Sequence, residues 1–169
     1  MSAVIRYNIL KRESLLSWSF IRWALEGKKI PFDSVIDFAI TKMEEPIDEN
    51  IAVLAGLSES ESDLLQSLVE KLAEAESVRL PEETWLFAAL VEIFEASVSE
   101  QEKIDRLQEV YSEFNYSERL EKCSIYYTRP EQGKVNVGDI LDDPLTEMER
   151  VIEQLRAEIT TGRNATPRA

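Results

Sequence analysis

The side chains of this chain that could do chemistry are almost all carboxylates. It holds 33 Asp and Glu among 169 residues, a single cysteine, Cys123, and no histidine. Without histidine there is no Ser-His or Cys-His nucleophile, no histidine general base and none of the usual transition-metal ligand sets. No glycine-rich phosphate loop of Walker or dinucleotide form is present. What remains is carboxylate chemistry: Glu44-Glu45 or Asp142-Asp143 on magnesium, or a carboxylate pair working as acid and base. Adjacent acids on a helix point in different directions, and Asp143-Pro144 already reads as a helix start. The expectation is therefore a binding protein with no metal, no cofactor and no catalytic residue.

The acids are unevenly placed. Residues 1–43 carry seven Lys/Arg against four Asp/Glu, residues 119–169 eight against nine, and residues 44–118 four against twenty, a net of −16. Two clusters stand out as a candidate surface for a basic partner. One is Glu44, Glu45, Asp48 and Glu49 with Glu59, Glu61 and Asp63; the other contains Glu92, Glu95, Glu102 and Asp105. Glu92 and Glu95 carry most weight, since their helix is apolar in nearly every other direction and they occupy its one open strip beside Ala88. First-turn acids compensate helix dipoles, which accounts for Glu59, Glu61 and Glu102 singly. An excess this large is self-repelling, and it suits steering toward a basic protein. It opposes nucleic acid and anionic membranes.

The elements that must position these residues are helices. Only five glycines and six prolines leave little from which to build a turn-rich β-fold. Periodic apolar stripes predict a helix over about 14–26, one after Pro31 with Asp33 as N-cap and a stripe of Val35, Ile36, Ala39, Ile40 and Met43, and a short one over 48–55. Ser58/Glu61 and Ser99/Glu102 read as capping boxes. Pro81 opens a helix apolar all round, hence central, and Asp143-Pro144 opens the last, with a stripe from Leu145 to Ile159. The fold class is all-α: a single-domain bundle of antiparallel helix pairs over 1–160 and a flexible polar tail over 161–169. Residues 124–137 read either as a small β-hairpin or as an irregular loop. In an extended strand one of Tyr126 and Tyr127 faces outward, as an interface aromatic would. Trp18, Trp23 and Trp85 read as core, and Cys123 as a packed thiol. A lone cysteine and no secretory signal suit the cytoplasm.

The segments SWSFIRWALEGKKIPFDSVIDFAI, IAVLAGL, ETWLFAALVEIFE and EVYSEFNYSERLEKCSIYY, spanning Trp18 to Tyr127, resemble a family of small bacterial all-helical proteins. That family is associated with the immunity partners of polymorphic toxins, including those of contact-dependent growth inhibition. Ser117 stands where the pattern has proline. The matched positions are packing residues, so the resemblance transfers no site residue. It implies a role: an antitoxin that binds a cognate basic toxin domain, commonly a nuclease. The alternative is a helical adaptor or scaffold for a basic cellular partner; a third reading is a metal-dependent carboxylate enzyme.

Overall fold

The structure is a computed structural model and describes residues 2–76, 80–125 and 143–164, with side chains up to 161. Within them the chain is all-helical, a single-domain multi-helix bundle with no strand. The α-helices are α1 (Ser2–Arg12), α2 (Trp18–Glu26), α3 (Phe32–Thr41), α4 (Glu49–Ala55), α5 (Ser62–Glu74), α6 (Pro81–Glu95), α7 (Glu100–Glu113) and α8 (Pro144–Asn164). Two 3-10 turns, Glu59–Glu61 and Glu118–Cys123, lead into α5 and follow α7. The hairpin reading of 124–137 falls, beyond Ile125, outside the described residues.

α6 is the axis of the bundle. Pro81 occupies its first turn, where a missing N–H costs nothing, and every residue from Thr84 to Val91 is buried. It packs against α1, α2, α7 and α8. Successive helices do pack, α3 on α4 and α4 on α5, but the core is closed by pairs distant in the chain: α1 on α6, α2 on α5, α6 on α8.

Local sequence explains most boundaries. Ser17 caps α2 by accepting from the Phe20 amide at 3.1 Å, so the helix begins at Trp18 and the stretch from Ser14 is a connection. Ser14 itself is left-handed at φ 57°. α3 begins after Pro31, which leaves Asp33 inside the first turn instead of at the cap. Asp48 caps α4 through the Asn50 amide. The Ser58/Glu61 box forms, with the Ser58 amide donating to Glu61 Oε2 at 2.9 Å, but it opens a 3-10 turn ahead of α5. At α7 the Ser99 hydroxyl accepts from the Glu102 amide, whereas the Glu102 carboxylate turns away to Arg106. α8 continues as helix through Asn164, past the last apolar residue of its stripe, Ile159.

Three helices end in Schellman geometry without glycine at the left-handed position. Ser14, Lys28 and Asn115 take φ of 57°, 52° and 55°. After α2 the Lys29 amide reaches Ala24 O and the Lys28 amide Leu25 O. Gly27, which the sequence marks as the terminator, sits at φ −85° and needs no glycine; the strained residue is its successor, Lys28.

α1 has no counterpart in the predicted elements. It buries Tyr7, Ile9 and Leu10 against the core, and it also buries Arg6. The aromatic core is as expected at Trp18 and Trp85, both buried, with the Trp18 ring 4.6 Å from Phe38 at a tilt of 60° and Phe20 6.0 Å from Trp85. Trp23 is half-buried under Lys29.

Candidate functional site

The two acidic clusters have different fates. Glu92 does not lie on an open strip. Arg6 of α1 covers it, 8% exposed, with Nε donating to Glu92 Oε2 at 2.8 Å and the two Nη atoms to the Glu113 carboxylate at 2.9 and 3.2 Å. The guanidinium also lies 5.2 Å over the Trp85 ring. Burial alone would lower the Arg6 pKa, but the hydrogen bonds to Glu113 and Glu92 prevail and raise it. One turn on, Glu95 receives both Nη atoms of Arg12, and Ala88 is fully buried. The reading of Glu92 as part of an accessible partner surface is therefore corrected, since it is the seat of α1; Glu95 stays exposed while pairing with Arg12.

Other contacts complete this latch. The Tyr7 hydroxyl donates to Asp37 Oδ2 at 2.7 Å and Lys11 Nζ to the same oxygen at 2.9 Å, tying α1 to α3. Lys11 holds the Asp37 carboxyl below its usual range, assisted by Tyr7 and opposed by burial. Glu13 lies 3.7 Å from Arg156 of α8. Sequence reasoning missed Arg6 and Arg12. The available signal was charge, since residues 1–12 carry three bases and no acid. Within α7, Glu102 pairs with Arg106 and Asp105 accepts from Gln101, so these two acids are exposed but locally engaged.

The first cluster has no cationic partner among the described residues. Glu44, Glu45, Asp48, Glu49, Glu59, Glu61 and Asp63 are all exposed, and among the described residues none has a Lys or Arg within ion-pair distance. Glu44 to Glu49 gather ahead of α4 and at its first residue, Glu59 to Asp63 just past its end. Seven helical residues rise about 10 Å, so the two groups border a short helix on both sides. Over 44–76 the sequence sets ten acids against the single Lys71. Asp48 and Glu61 also serve as caps, yet each carboxylate remains at the surface.

One further carboxylate has a purely internal task. Glu76, beyond the end of α5, accepts from the amides of Trp18 and Ser19, both at 3.0 Å, and so caps α2 from a distance.

No three Asp, Glu or Cys side chains converge as metal ligands among the described residues; Asp142, Tyr126 and Tyr127 lie outside them. A cleft of about 640 Å³ between α6, the second 3-10 turn and α8 is lined by both signs of charge, with Glu82, Glu83, Glu118 and Glu121 facing Arg119, Lys122 and Arg150. At its floor Glu147 is buried and paired to Arg150. Nearby Cys123 is fully buried, and burial, reinforced by the Glu147 charge, pushes its thiol up to about 12.

The fold and its charge define an all-helical domain with one set of acids pairing α1 to the bundle and another exposed around α4; no described helix is long and apolar enough to cross a membrane. The chain belongs to the family described as "Uncharacterized protein conserved in bacteria (DUF2247)", which it matches over residues 7–160. No curated protein and no solved structure shows a significant match.

Proposed function

We propose that this protein is an immunity protein, which binds a cognate basic toxin domain in the cytoplasm and neutralises it. The observation that carries this reading is the set of seven exposed carboxylates around α4 with no cation beside them among the described residues. Clustered like charges oppose compaction, and pairing of Glu92, Glu95 and Glu113 with Arg6 and Arg12, beside seven acids with no cation near them among the described residues, supports their being available for a partner. A nuclease is the toxin that fits best, because its nucleic-acid cleft must be basic to hold phosphates and is open to carboxylates that take their place. The resemblance to immunity proteins of contact-dependent growth inhibition systems points the same way. The role is inhibition by occupancy, with no reaction catalysed and no cofactor used.

Co-expression with the C-terminal domain of the protein encoded immediately upstream, as the candidate toxin, tests this. Cells should survive with the wild-type protein and die with Glu44, Glu45, Asp48 and Glu49 all reversed to Lys, while reversal of exposed Glu149 on α8 should be silent. Association should be fast and slowed by salt, as electrostatic steering requires. No rescue by the wild type, together with no complex between the purified proteins, would sink the proposal.

A further inference from the structure

Among the acids around α4, the described residues include four large apolar side chains left about half exposed. The α3 stripe is split by the core: Val35 and Ala39 are fully buried and Ile36 is partly covered, but Ile40 is 57% exposed and Met43 45%. Ile47, in the connection, and Val53, on α4, are about half exposed as well. Leu54, the neighbour of Val53, is completely buried, so α4 already has an inward face, and Val53, about 100° further round the helix, is about half exposed. These four side chains follow one another along 40–53, with Glu44, Glu45, Asp48 and Glu49 interleaved and Glu59 to Asp63 closing the far end.

From this arrangement we infer that residues 40–53 form a docking face for a cationic amphipathic segment of a protein partner. Ile40, Met43, Ile47 and Val53 make the apolar centre and the acids on either side make the rim. The inference rests on the proposed basic partner and specifies where and how it is held. A dry centre within a polar rim is the anatomy of a specific interface, in which the apolar centre sets affinity and the charged rim sets partner choice and approach rate. Charge selects the occupant. A second copy of this chain would bring two acidic rims together, and nucleic acid or an anionic bilayer would be repelled. A protein helix laid along α4 would meet the acids at the two ends of α4 with its Lys or Arg and would fill the gap with apolar side chains.

The probe is a synthetic Lys/Leu amphipathic peptide of about five helical turns, compared with a scramble of the same composition. Amide shifts should concentrate in residues 40–53 and 59–63, and Ile40→Ser with Val53→Ser should weaken binding by about tenfold. Both sites are about half exposed, so the variants should keep the wild-type circular dichroism. Equal affinity for the scramble, or shifts centred on α1 and α7, would overturn the docking face. The rescue experiment separates the two ideas. If the Ile40→Ser/Val53→Ser protein still neutralises the upstream domain, the face is wrong and the immunity reading stands. If the wild type fails to neutralise it yet holds the amphipathic peptide at 40–53, the reverse is true.

Discussion

Replacing Arg6 by Met should remove the latch between α1 and the rest of the bundle while keeping an aliphatic cover over Trp85. In the wild type one guanidinium serves two carboxylates, Glu92 with its side chain 17% exposed and Glu113 at 37%. Its loss leaves two neighbouring acids without their cation. Breaking a buried pair from one side costs about 3–5 kcal/mol, but the Glu113 side is screened by solvent, which brings the expected loss to about 3 kcal/mol. For a domain of this size that corresponds to a melting point lower by about 6–12 °C. The diagnostic comparison is the triple variant Arg6→Met/Glu92→Gln/Glu113→Gln, which removes the stranded charges and should recover more than half of the loss. Thermal and urea melts followed by circular dichroism give both numbers. A single-variant loss below about 0.5 kcal/mol, within the range of ordinary surface changes, would refute the latch. So would a triple variant no more stable than the single one, which would assign the effect to packing on Trp85.

Three further outcomes follow from the same geometry. Glu76→Ala should cost about 2 kcal/mol, because two orphan amides at the start of α2 lose a charged acceptor; chemical denaturation measures it, with Glu70→Ala as an exposed control. Asp37 has a folded pKa below its unfolded one, so its contribution is fully present above about pH 4 and is lost as pH falls through the lower folded value. The gap in melting temperature between wild type and Asp37→Asn should therefore be constant near neutrality and close on acidification; a gap independent of pH would show that the charge is not what matters. Cys123, buried and with its thiol pushed up to about 12, should resist a disulfide reagent at pH 8 in the native protein and react at once in denaturant. Rapid native labelling would contradict its burial.

The parts of the fold that could be read in advance are those specified locally. Ser58 and Ser99 open a turn and a helix because their cap interactions are made with residues only three positions away, and Pro81 fits a first turn on its own account; the Ser17 cap, by contrast, is visible only in the structure, because the apolar stripe alone starts that helix near Ser14. α6 announced its centrality because no polar side could be drawn on it. α1 stayed hidden for a physical reason: its anchor is a buried arginine, which blurs the apolar stripe that marks a helix, and the acids that justify the burial lie 86 and 107 positions away. The same ignorance made Glu92 look open, since an acid on a helix strip reads identically whether water or arginine faces it. Exposure at Ile40 and Met43 was equally illegible, because periodicity places them beside Val35 and Ala39 without saying where the core's edge falls. The cluster around α4 could be named in full, since unpaired charge in a segment nearly free of Lys and Arg is a property of composition.

The distance between Arg6 and its acids also sets an order of events during synthesis. At about 5–20 residues per second, the ribosome needs on the order of 5–20 s to travel from Arg6 to Glu113. Over that interval Ile9 and Leu10 have no α6 to cover them, although Asp37 arrives early enough to hold Tyr7 and Lys11. Until Glu92 and Glu113 are made, the Arg6 charge lacks both of the carboxylates that hold it in the folded chain. Docking of α1 is the step that commits the two ends of the chain to one body.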